Sequence, residues 1–217
     1  MYLNHDKRDV VFELEVSVAS KGYRLVEGRR QGIFVKDRNP FLQVKPGSEF
    51  VIKRIRLTRS IWRDLVVIDN LKRVARPDKI NRALLGFCEN YGLSEFGVGG
   101  VVEEQLAIPT TFLLNEARLI SKAIKSATRG VIEFPPHLVD AINSRTVFEI
   151  SEISTDTFIV FRDPILAAWF DLRTRNIDLK PPCGFCGGLN IARGDARFCS
   201  SHCSNRWHKA KARGQIK

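Results

Sequence analysis

Four cysteines near the carboxyl end constrain this chain more than any other feature. They stand as Cys183-Gly184-Phe185-Cys186 and Cys199-Ser200-Ser201-His202-Cys203, with twelve residues between the pairs. A tetrahedral metal needs four soft ligands converging on one point. Two close local pairs bring them there with little chain entropy to lose. Gly184, Gly187 and Gly188 give the first pair the character of a zinc knuckle, a tight turn whose backbone amides face the sulfurs. Cys199 and Cys203 are four apart, so both sulfurs fall on one side of the first turn of a helix. Ser200 or Ser201 can cap that turn, and the positive end of the helix favours thiolate over thiol. The predicted ligands are therefore Cys183, Cys186, Cys199 and Cys203, holding Zn2+. Four protein ligands leave no open position for water, which makes the site structural rather than catalytic. His202 and His208 are set aside as ligands; on a helix His202 projects about 100° away from Cys203.

The 217 residues suffice for one substantial core and a small appended module. No stretch approaches the roughly 20 apolar residues of a membrane span. The opening residues Met1 to Arg8 lack the apolar run of a secretory signal, so the expected location is cytoplasmic. Clustered cysteines in that reducing compartment suit a metal better than disulfides. Cys88, the fifth, lies in an apolar helical run and reads as a small core residue.

The formal charge is +11, and its placement matters more than its size. Residues 183–217 carry seven Lys/Arg against Asp195 alone, 7 − 1 = +6, leaving +5 for residues 1–182. Four thiolates and one zinc ion add −4 + 2 = −2, so a loaded tail is still near +4. Dense positive charge of this kind attracts phosphate backbones. A second basic run, Lys53 to Arg82, holds ten Lys/Arg against Asp64, Asp69 and Asp78, and reads as solvated helix and strand faces.

The predicted fold class is α+β. Phe12, Leu14, Val16 and Val18 alternate with Glu13, Glu15 and Ser17, the period of a half-buried strand. Tyr23–Val26 and Ile33–Val35 suggest a hairpin, Lys45–Ser48 a turn, and Phe50 to Leu57 a further strand, together a small antiparallel sheet. Asp78 is expected to cap a helix bearing Ile80, Leu84, Phe87 and Tyr91, stopped by Gly92. A longer helix follows Pro109 with Leu113, Ala117, Ile120, Ile124 and Ala127 on one stripe, ending at Gly130. Asp163-Pro164 opens a short helix buried through Ile165, Leu166, Trp169 and Phe170. Thr146–Ile150 and Thr157–Phe161 are strand-like. Lys180-Pro181-Pro182 is a stiff connector, which divides the chain into an α+β domain, residues 1–180, and a finger with a basic helix, residues 181–217.

Beyond Cys203 the helix continues to Gly214, with Arg206, Lys209, Ala210 and Arg213 sharing a face. Trp207, one turn after Cys203, is expected to pack on the metal core or on the preceding domain, base stacking being the rarer use. At these residues the chain resembles the bacterial CGNR zinc-finger proteins, regarded as transcription regulators. Cys203-Ser204-Asn205-Arg206 keeps the cysteine, Asn and Arg of their hallmark, with Ser204 in place of glycine; Phe198-Cys199-Ser200 and the basic helix also match. A wider set of bacterial proteins with similar fingers has a segment like Phe87 to Leu93. The likeness is specific over residues 183–213 and loose over 78–170. It implies a treble-clef-like finger and a DNA-binding regulator, with Asn205, Arg206, Lys209, Lys211 and Arg213 facing nucleic acid. The larger domain would then supply homodimerisation or ligand sensing. An RNA- or protein-interaction module is the alternative. An enzyme is not expected: no Gly-rich phosphate loop, Gly-x-Ser-x-Gly elbow or His-Glu-x-x-His helix is present.

Overall fold

The computed structural model describes residues 10–27, 40–56, 61–94, 100–102, 105–126, 135, 136, 138, 146–150, 157–174, 181–190 and 196–216. Among these the chain is mixed α+β. The strands are β1 (Val10–Ala19), β2 (Tyr23–Glu27), β3 (Pro40–Val44), β4 (Phe50–Arg56), β5 (Gly100–Val102), β6 (Gln105–Pro109), β7 (Thr146–Ile150) and β8 (Thr157–Phe161). The helices are α1 (Ile61–Val74), α2 (Pro77–Tyr91), α3 (Thr110–Ser126), α4 (Pro164–Thr174) and α5 (Ser201–Ala212).

Two four-stranded sheets form, ordered β4-β1-β8-β7 and β2-β3-β6-β5. The alternation of β1 is realised: Leu14, Val16 and Val18 are buried while Ser17 is exposed. Its partners, however, split what the sequence suggested was one small antiparallel sheet. β1 pairs antiparallel with β4 and parallel with β8, whereas β2 pairs with β3 in the other sheet. Ser20 to Gly22 makes this division, with Gly22 at φ 76 turning the chain from one sheet into the other. The proposed Ile33–Val35 strand lies outside the described residues. On β4, Arg54 bonds Glu13 across the strand pair, while Phe50, Val51 and Ile52 remain exposed.

α1 is the centre of the helical layer and lies inside the basic run, whose composition suggests only solvated faces. Ile61, Leu65 and Ile68 repeat by four and three, Trp62 and Val66 by four, and all five are buried. It packs on α2, α3 and α4. Lys72, Arg73 and Arg76 are exposed, so the basic run does solvate one side, but it hides an apolar helix. α3 buries Leu113, Ala117, Ile120 and Ile124 as the periodicity predicts, while Ala127 and Gly130 fall outside the described residues. α4 is held at its start by Asp163, whose Oδ1 accepts from the N–H groups of Ile165 and Leu166 at 2.8 and 3.1 Å. Trp169 donates from Nε1 to the buried Glu116 of α3 at 3.0 Å, locking α4 to α3. One helix start differs from expectation. Arg76 occupies the N-cap position of α2 without a side-chain cap, and Asp78 lies inside the first turn, 3.4 Å from Arg82. Pro77 decides this, because it fits the first helical position and fixes the start two residues from where an Asp78 cap would place it. Gly92 closes α2 at φ 78, its N–H bonding the Cys88 carbonyl at 2.8 Å.

Candidate metal centre

The knuckle is a turn stitched by its own backbone. Cys183 N–H donates to Gly188 O and Gly187 N–H to Cys183 O, both at 2.9 Å, with Gly187 at φ 64. That curl aims the Gly188 N–H at Cys186 Sγ, 3.3 Å away. Gly184 N–H donates to Arg197 O at 3.0 Å, which pins the segment before Cys199 to the knuckle. Ser200, not Ser201, is the cap of α5: its Oγ accepts from Cys203 N–H at 3.3 Å. Ser201 is the first helical residue.

The four sulfurs of Cys183, Cys186, Cys199 and Cys203 all lie within 4.8 Å of one another. Cys186 and Cys199 are 3.7 Å apart and Cys199 and Cys203 are 3.6 Å apart. A tetrahedron with arms of about 2.3 Å, the zinc–sulfur distance, has edges of about 3.8 Å, whereas a disulfide needs about 2.0 Å. The cluster therefore matches a metal cage and not two disulfides. Cys183, Cys199 and Cys203 are buried and Cys186 is half-buried, with Val74, Phe185 and Phe198 packed around them.

The thiols are perturbed unequally. Burial pushes the Cys199 thiol far up, helped by its Cys203 and Cys186 neighbours. Burial also raises Cys203, to about 11, against the opposing pull of Ser200. Cys183 feels the same burial, yet the backbone amides of Cys186, Cys199 and Phe185 outweigh it and bring the thiol down to about 7. The four sulfurs are thus placed where one metal ion could hold them as thiolates, while burial alone favours the thiol form at Cys199 and Cys203. Cys88 is separate from this cluster. It is fully buried in α2, and burial raises its thiol strongly, the behaviour of an inert core residue.

α5 leaves the cluster with its cations exposed. Asn205, Arg206, Lys209, Lys211 and Arg213 are all solvent-facing. Arg206, Lys209 and Arg213 form one stripe, but Lys211 lies about 140° round the helix from Arg206. Its ammonium sits 5.1 Å from the Trp207 ring instead. Trp207 is half-buried and flanked: Arg197 stands 4.7 Å over its ring, Phe198 at 5.6 Å and His208 at 5.0 Å between centroids. It props α5 on Phe198, the residue preceding Cys199, instead of on the cysteine cluster or the larger domain where the sequence places it.

Sequence reasoning missed how this unit meets the helical layer. Arg206 Nη1 donates to the Val74 carbonyl at the end of α1, at 2.6 Å, and its guanidinium lies 5.8 Å from the Phe185 ring. Asn70 of α1, itself buried, donates to Leu189 O at 2.8 Å. Lys79 of α2 reaches His202 Nδ1 at 3.2 Å. Burial, then Lys79 and Arg206, hold the His202 imidazole below its ordinary range, against the Val74 carbonyl. Gly188 has a second role beyond the knuckle. A Cβ there would stand 2.0 Å from Asn70 Oδ1, so any larger residue would have to displace the Asn70 side chain or lift the knuckle from α1. The one available signal was Asn70 itself, an amide on the buried side of an apolar helix. Among the described residues no helix is long and apolar enough to cross a membrane. Comparison with protein-family models, with curated proteins and with solved structures finds no match to the chain.

Proposed function

We propose that this chain is a zinc protein whose four-cysteine finger, treble-clef-like in layout, presents α5 to duplex DNA in a regulatory role. The observation that carries the reading is that α5 starts inside the sulfur cluster and bears an exposed cationic stripe. Residues 196–216 contain no acid to neutralise that stripe. Zinc is favoured as the ion because four thiolates in a tetrahedral cage suit it, and because it holds the cage without redox chemistry. Its contribution is structural: the sulfurs fill its coordination shell, so the reading is of binding and not of catalysis. Phosphate contact follows from the charge of Arg206, Lys209 and Arg213. The Arg197 and Lys211 cations held over the Trp207 ring favour a duplex over a single strand, since a stacking platform needs an open aromatic face. Resemblance to the CGNR fingers at Cys203, Asn205 and Arg206 supports the regulatory role.

The test is metal analysis of the purified chain followed by DNA binding across a salt series. One zinc per chain is expected, with a log–log slope of about −2.7 if three stripe cations each neutralise one phosphate. Binding that is flat in salt sinks the reading. So does zinc-loaded protein that captures only structured RNA or an acidic protein.

A further inference from the structure

The α1–α2 elbow adds a second source of cations to the face that α5 presents. Lys79 touches His202, and His202 shares one side of α5 with Arg206, Lys209 and Arg213, by spacings of four, three and four. Arg206 in turn grips the Val74 carbonyl, two residues before Arg76, which stands at the N-cap of α2. Arg76 and Lys79 are exposed, as are Arg206, Lys209 and Arg213. The acid within residues 76–82 is Asp78, and it is engaged by Arg82 at 3.4 Å. Lys79 of the elbow and the α5 stripe headed by Arg206 are thus brought together from segments more than a hundred residues apart, Arg76 lying three residues from Lys79 and Lys209 and Arg213 along the same stripe. Gathering like charges raises the energy of the unbound protein, and an anionic partner reverses that cost.

We infer that the nucleic-acid surface is composite: Arg76 and Lys79 of the α1–α2 elbow contact the phosphate backbone of duplex DNA together with Arg206, Lys209 and Arg213. The inference rests on the DNA-binding reading above and deepens it, because the finger alone would then hold only part of the site. The docking contacts become functional. Asn70 to Leu189 O and Arg206 to Val74 O fix the elbow and α5 in one register, so both can follow the same backbone. From His202 to Arg213 the helix runs about 16 Å, a length matched by about five phosphates at about 3.4 Å of axial rise each. The elbow extends this track beyond the helix start.

The experiment uses the full zinc-loaded chain and a mixed-sequence duplex. Arg76→Ala with Lys79→Ala is compared with Lys209→Ala with Arg213→Ala, zinc content and circular dichroism being checked for each. With five cations engaged the wild-type slope should be about −4.5, in place of about −2.7 for the α5 stripe alone, and the elbow variant should lose about 1.8 of it. Affinity should then fall about 60-fold at 0.1 M salt, taking equal binding at 1 M as reference. Lys79→Arg, which keeps the charge, should retain its share of the slope. If the elbow variant matches wild type while the α5 variant weakens, the composite surface is overturned and the DNA-binding finger stands. If wild type shows no salt-dependent duplex binding, both fall.

Discussion

Placing one methyl group at Gly188 tests whether the finger is docked or merely tethered. The Cβ of Gly188→Ala would lie 2.0 Å from Asn70 Oδ1 and 2.8 Å from its Cγ. Relief requires Asn70 to swing away, losing its 2.8 Å bond to Leu189 O, or the knuckle to lift from α1. The lost bond is worth about 1 kcal/mol and the residual strain about as much again, together about 2 kcal/mol. Small four-cysteine fingers fold with their metal, so this energy is withdrawn from zinc binding. At tenfold per 1.4 kcal/mol, zinc affinity should drop about 30-fold. Asn70→Ala alone should cost about 1–2 kcal/mol, leaving the Leu189 carbonyl without its donor. In that background the two closest obstacles to Gly188→Ala are removed, and Cys186 Sγ at 3.2 Å becomes the nearest neighbour of the new methyl. The two changes should therefore couple by about 1–2 kcal/mol. Chelator competition on the four proteins measures this. Strict additivity, or unchanged zinc affinity in Gly188→Ala, would refute the docked finger.

Three further outcomes are expected. Cys199→Ser should abolish stoichiometric metal and expose residues 183–213 to protease while far-ultraviolet dichroism stays largely native; one retained equivalent of metal would contradict the cage. Acid should expel the metal, because burial holds Cys199 and Cys203 as thiols that must release their protons to bind it. Each added proton favours the metal-free side, so these two alone should lower affinity about a hundredfold per pH unit below neutrality; pH-independent chelator competition would argue against it. Trp169→Phe should remove a donor from buried Glu116 and cost about 2 kcal/mol, read as a lower thermal midpoint without loss of zinc; an unchanged midpoint would show that the bond is not holding α4 to α3.

The ligand set could be read from sequence because its spacing is local. A knuckle and a first helical turn place their sulfurs by backbone geometry alone, and Cys183 to Cys203 behave accordingly. The same holds for α3, α4 and the two strands Thr146–Ile150 and Thr157–Phe161, where period, proline and aspartate punctuation act within a few residues. α1 escaped notice because its surface cations dominate the composition of a segment whose apolar stripe, Ile61 to Ile68, is short.

By itself the sequence determined a cluster of four cysteines spaced to hold a metal ion, an acid-free cationic helix leaving it, and an α+β body. Only the tertiary structure decided that β1 runs parallel to a strand some 140 residues later, that the early strands separate into two sheets, and that the finger rests on α1. Those outcomes depend on which distant surfaces find one another. Gly188, Val74 and Arg206 carry no mark of their pairing until packing brings the finger onto α1, and Asn70 shows only that a buried amide needs some partner.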